Sequence, residues 1–201
     1  MSTPYDRALA AIDAAHALDP TSITVNSTSV PYELHYAQKC TSYLSLLCPS
    51  ASEPLRLAIR AQHFRRWEVP RSSYPATRSG YLLWRSSLKK RQAEMVQQIC
   101  LEAGYSEAEA ARVGALVRKE GLKTDEETQT LEDVACLVFL EERLEAFVSE
   151  YGDAEGDRKV DIVGVVRKTW GKMSEKGREV AKGMQMGEKA GEVVREALEG
   201  V

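Results

Sequence analysis

Apolar residues recur at three- and four-residue steps along nearly the whole chain, and no stretch alternates convincingly in the two-residue rhythm of a strand. The pattern predicts an all-α fold, a single helical bundle with a C-terminal helical extension. Thr3-Pro4-Tyr5-Asp6 reads as a capped start, with proline in the first turn, leading a helix to about Leu18. A polar loop rich in Ser and Thr follows over 19–30. A second helix runs from about Pro31 to Leu47. The third begins near Pro54 and passes through His63 to about Trp67, where Pro70 and Pro75 force an extended loop. The fourth spans about Thr77 to Ala103 and is closed by Gly104. Ser106 with Glu109 makes a capping box for a short fifth helix ending at Gly121. A sixth covers about Glu126 to Tyr151.

This layout predicts a helical core domain over 1–151, a Gly- and acid-rich linker at 152–157, and a docking helix of the same domain over 158–174. The docking face is Ile162, Val165, Val166 and Trp170. The remaining segment, 175–201, carries five glycines and is expected to be a weakly ordered tail.

Three acids fall on the apolar stripes. On the second helix the stripe Tyr36, Ala37, Cys40, Leu44, Leu47 steps back one turn to Glu33. On the fifth, Val113, Leu116 and Val117 step forward to Glu120. The sixth is apolar on nearly all sides, so Asp133 is flanked by core. A buried carboxylate needs an arginine, a histidine or a metal ion as partner. The helix dipole excuses Glu33 and Asp133, which lie near helix starts, whereas it opposes Glu120 at a helix end. With His63, the set Glu33, His63, Glu120 and Asp133 is a lean candidate site for Mn, Fe, Zn or Mg. For each acid taken singly, an internal salt bridge is the competing reading. His16 and His35 are read as structural.

Composition adds an asymmetry. The 201 residues carry a net charge of −3, yet Arg60 to Arg91 holds nine basic residues against Glu68 alone. That stretch is +8 and the rest of the chain −11, a segregation that often marks where an anion is held. Within it, QHFRRWEVPRSSYP sets arginines between two prolines. Guanidinium offers a rigid fork of donors that matches phosphate or carboxylate, so Arg65, Arg66, Arg71, Arg78 and Arg85, with the hydroxyls of Ser73 and Tyr74, form a candidate binding loop. Trp67, Tyr81 and Trp84 could stack on a ring or serve as core aromatics, and Gly80 would permit close approach. The alternative for the arginines is a network neutralising Glu33, Glu120 and Asp133. Four cysteines without paired spacing, no apolar run of membrane-spanning length and no signal-peptide layout lead to the expectation of a cytoplasmic protein with reduced thiols.

The segment GYSEAEAARVGALVRKEGLKTDEETQTLEDVACLVFLE resembles the second half of an HD-type metal-dependent phosphohydrolase domain. That resemblance implies an HD-like helical bundle in which histidines and aspartates hold metals that activate water against a phosphoester. Glu33 would stand at the first histidine, His63 in the paired motif, Glu120 at a downstream histidine and Asp133 near the closing aspartate. Phe64 stands where the paired aspartate is expected, and Ala135 aligns with the closing ligand. QHFRRWEVPRSSYP, GYLLWRSSLKKRQAE, LVRKEGL, LEDVACLVFLE and VVRKTWGKMS together resemble the bacterial and fungal family called domain of unknown function 4202 over roughly residues 5–175. Some fungal members carry a glutamyl-tRNA synthetase label, but the chain has no HIGH-type or KMSKS signature, Lys172-Met173-Ser174-Glu175-Lys176 being a partial echo.

The expected function is a metal-assisted, hydrolase-like protein acting on a phosphorylated small molecule or nucleotide held by the arginines. His63 and Glu120 would be its catalytic groups. The alternative is a non-catalytic anion- or RNA-binding module on a degenerate HD-like fold.

Overall fold

A computed structural model describes residues 2–151 and 160–199. The expected linker at 152–157 lies outside the described residues. The fold is all-α: among the described residues, ten α-helices accompany a single two-stranded hairpin. The chain divides into two compact units, 1–131 and 132–201.

In the first unit, α1 (Pro4–His16) starts at Thr3, which accepts from the Asp6 amide while the Asp6 carboxylate accepts from the Thr3 amide. The expected polar loop instead contains β1 (Ser22–Val25) and β2 (Thr28–Pro31), paired antiparallel. Asn26 and Ser27 both take positive φ, the geometry that reverses a chain in two residues. Next comes α2 (Tyr32–Leu47), which has no side-chain cap at Pro31. The buried Asp19 carboxylate takes that place, accepting from the amides of Thr21 and Glu33 at 2.9 Å each. As expected, the face Glu33, Tyr36, Ala37, Cys40, Leu44, Leu47 is buried.

Helix α3 (Glu53–Arg60) is shorter than predicted. It stops seven residues before Trp67 because His63 and Arg65 adopt left-handed conformations, with φ of 61° and 49°. Two short 3₁₀ turns, Arg66–Glu68 and Arg71–Ser73, carry the chain to α4 (Arg78–Glu102), capped by Thr77. Helix α5 (Glu107–Arg118) opens with the Ser106–Glu109 capping box. Helices α1, α2, α3, α4 and α5 pack together around Ile12, Leu44, Leu57, Ile59, Val96 and Leu116.

Helix α6 (Glu126–Val138) begins in the first unit and ends in the second. A π-helical turn at Phe139–Arg143 joins it to α7 (Leu144–Tyr151), so the predicted sixth helix is one run broken by a widened turn. In α8 (Ile162–Lys172), Ile162, Val166 and Trp170 are buried and Val165 is half-buried. The expected weak tail is helical, as α9 (Glu175–Lys182) and α10 (Glu188–Leu198). Side chains distant in sequence hold both helix starts. Asp133 accepts from the Ser174 amide at 2.8 Å and from its hydroxyl, and Glu145 accepts from the Ala190 amide at 2.9 Å. Gly177 is needed here, since a β-carbon would lie 2.8 Å from the Asp133 carboxyl carbon.

Among the described residues no helix is long and apolar enough to cross a membrane. All four cysteines are free thiols, and burial pushes Cys100 up to about 11.

Candidate anion-binding site

The site grows from two left-handed residues in a loop with no glycine. Such conformations cost a non-glycine residue roughly 1–2 kcal/mol each and persist where the surroundings over-determine them. Here Phe64, between them, is buried in the core and meets the His16 ring edge-on at 5.5 Å. That anchor turns His63 and Arg66 toward α2 and α4.

The His63 ring lies flat on Tyr36, with centroids 4.2 Å apart and planes 12° from parallel. Its Nε2 accepts from Arg66 Nη1 at 3.0 Å. Arginine has donors only, so the imidazole proton sits on Nδ1. That nitrogen faces Glu33 Oε2, 3.8 Å away. Glu33 is 4% exposed, as its stripe position predicted, while His63 keeps about a quarter of its side chain open to solvent. Carboxylate, imidazole and guanidinium thus stand in a row.

Arg66 also lies over the Trp84 ring, 4.9 Å from its centroid, and the Trp84 indole donates to the Val69 carbonyl at 2.9 Å. This ties the loop to α4. Among the described residues Arg66 makes no ion pair with a carboxylate. Its pKa is held below the ordinary arginine value, first by burial and then by the positive charge of Arg85, with Glu33 opposing. Arg85 is half-buried and makes no hydrogen bond or ion pair among the described residues, and the same holds for the exposed Arg78.

Other sequence candidates have different duties. Arg71 is a clamp: its guanidinium donates to the carbonyls of Tyr74 at 2.8 Å, Pro75 at 2.6 Å and Thr77 at 3.3 Å. Its forked donors fold the loop, which corrects the expectation that they face a ligand. The Pro75 carbonyl so fixed lies against Gly80, where a β-carbon would collide with it. Arg65 is ion-paired with Glu68, which also pairs with Arg91. Ser73 is exposed and Tyr74 half-buried beside this clamp.

The four-residue metal set does not assemble. Glu120 was expected to point inward by continuing the α5 stripe. Lys119 instead turns left-handed, with φ 59°, and throws Glu120 outward. Its side chain is 57% exposed and accepts from Arg118 Nε at 2.6 Å. Asp133 is buried as expected, but its two oxygens hold Ser174. The His63 nitrogen that faces Glu33 carries the imidazole proton, because Arg66 donates to the other. Among the described residues no group of three or more His, Cys, Asp or Glu is arranged to hold an ion. Among the described residues the donor chemistry does not fit a metal centre.

An open hollow of about 610 Å³ lies elsewhere, lined by Arg112, Glu120, Thr124, Asp125, Glu126 and Glu127 among others. It is acidic, and its arginine is already paired with Asp125 and Glu127. Such a hollow suits no phosphate.

A family model described as a domain of unknown function (DUF4202) matches residues 6–194. No curated protein and no solved structure matches the chain.

Proposed function

The chain belongs to the DUF4202 family, whose name assigns no activity, and from its geometry we propose that it binds the phosphate or carboxylate group of a small molecule at Arg66 and Arg85. The observation that carries this reading is the pairing of Arg66, a partly buried guanidinium without a carboxylate at ion-pair distance, with a second guanidinium that also lacks one. A partly buried guanidinium beside a like charge is costly unless an anion compensates it. An arriving anion offers both forks an acceptor.

His63 supplies the chemistry. When Arg66 turns to the anion, His63 Nε2 is left with an open lone pair beside the ligand. Glu33 stands behind Nδ1 and Tyr36 fixes the ring plane. An imidazole so held can accept a proton from a water or ligand hydroxyl, with Glu33 stabilising the imidazolium that forms. Anion capture and general-base readiness are then one event, without a metal.

The test is thermal unfolding in inorganic phosphate and pyrophosphate. Binding to the folded state raises Tm with ligand concentration, and Arg85→Ala is expected to abolish the rise while leaving the ligand-free Tm undiminished or higher, since it removes the charge that repels Arg66. No rise at millimolar pyrophosphate, or an unchanged rise in Arg85→Ala, overturns the reading.

A further inference from the structure

The anion site does not end at Arg66. From it an unbroken file of flat groups leads outward. Tyr32 lies 6.2 Å from Tyr36, Tyr36 lies on His63, His63 bonds Arg66, and Arg66 covers Trp84. Trp84 in turn meets Tyr81, with ring centroids 5.9 Å apart and planes tilted 46°. Tyr81 is 45% exposed, and the next two residues, Leu82 and Leu83, are 57% and 59% exposed. Half of the six large hydrophobic residues most exposed among those described are therefore consecutive here, in the first two turns of α4. Core packing does not account for them.

Helix spacing sorts this surface. Arg78, Tyr81, Leu82 and Arg85 stand at i, i+3, i+4 and i+7, so they share one face. The face covers about 10 Å of helix axis at 1.5 Å per residue. It presents a ring and an aliphatic ledge between two arginines that make no ion pair among the described residues. An apolar protein helix would leave both guanidiniums uncompensated. A simple phosphate would leave the ring and ledge in water. A ligand carrying a flat, partly polar ring about one helical turn from an anion satisfies both.

We propose that the ligand is a mononucleotide, its phosphate held by Arg66 and Arg85 and its base stacked on Tyr81 with Leu82 at its edge. This rests on the anion-site reading above and adds the ring to it. Stacking on an aromatic side chain tolerates any base, so the site selects for a nucleotide rather than for one nucleobase. Arg78, at the outer end of the face, is placed for a second phosphate or a carbonyl on the base.

Calorimetric titration of the full chain at low salt with ribose 5-phosphate, AMP, UMP and a ten-residue oligouridylate tests it. AMP and UMP are expected to bind about 10–100 times more tightly than ribose 5-phosphate, the factor that one base stack supplies. Tyr81→Ala should remove that gain and leave ribose 5-phosphate unchanged, while Tyr81→Phe should keep it. Equal affinities for ribose 5-phosphate and AMP, or no effect of Tyr81→Ala, overturn the nucleotide and leave the anion site standing. No binding of any phosphate overturns the anion site itself. Tighter binding of the oligouridylate than of UMP, falling steeply with salt, overturns the mononucleotide in favour of a single strand.

Discussion

Arg112 and Arg66 belong to the same unit, yet their surroundings differ in kind. Arg112 of α5 reaches across to Asp125 and Glu127 at the start of α6, the second contact at 2.6 Å. Those hydrogen bonds raise its pKa further and hold Asp125 at about 2. Asp125 meanwhile accepts from the amides of Glu127 and Thr128, so the pair also closes a helix end. Arg66 has an imidazole, an indole face and another arginine, and burial lowers its pKa. One guanidinium completes a structure; the other, on the reading proposed above, awaits a charge. Arginine content and local net charge do not separate these cases, but the partner list does.

The comparison breaks most visibly by deleting the satisfied arginine. Arg112→Ala leaves two carboxylates facing each other beside a helix start, and is expected to cost about 2 kcal/mol. That lies between an exposed pair and a fully buried one, as its partly exposed geometry requires. Urea unfolding at neutral pH measures it. A loss below about 0.5 kcal/mol would mean solvent already does the work of the network.

Acid sharpens the same contrast. Asp125 has a folded-state pKa of about 2 against an ordinary 3.8, so the unfolded chain takes up its proton first. Its contribution is complete above about pH 4 and lost as pH falls toward 2. Buried His16, whose Nε2 bonds the Arg60 carbonyl at 2.9 Å, also lies below its ordinary 6.5, chiefly through burial. Again the unfolded state binds the proton first, so stability declines once pH drops below about 6.5, with a slope limited to about 1.4 kcal/mol per pH unit. Urea midpoints against pH should therefore show two descents. Arg112→Ala should flatten the lower and spare the upper; loss of both together would assign the acid limb elsewhere.

What was legible in the sequence was local or periodic. Thr3 with Asp6 and Ser106 with Glu109 act within four residues, so their caps could be read directly. The α2 stripe placed Glu33 inside because a regular helix carries periodicity faithfully. Failures came where the backbone left that regularity without glycine or proline to announce it. Left-handed Lys119 spoils the step from Val117 to Glu120. Left-handed His63 and Arg65 end α3 early, and that same departure brings His63 to Tyr36 and Arg66 to Trp84. The hairpin had a signal, Asn26-Ser27 between Val25 and Val30, but its strands are too short for alternation to stand out. The C-terminal helices depend on Asp133 and Glu145, which meet them only in three dimensions.

The smallest expected change in stability is the most informative. Arg66→Met keeps a long, polarizable side chain over Trp84 and removes a charge that no carboxylate among the described residues meets at ion-pair distance. Replacing a satisfied arginine with an apolar residue strands its partners, but here the group left behind is His63 Nε2, on a side chain that water already reaches. The lost cation–π contact and hydrogen bond oppose the relief of repulsion from Arg85, so stability should stay within about 1 kcal/mol of the parent, or rise. Phosphate and nucleotide responses should vanish in the same variant. That combination, a folded protein of undiminished stability that no longer sees the anion, is what a guanidinium kept for a ligand produces. A loss of several kcal/mol would place Arg66 with Arg112, as a strut whose partner is the protein itself.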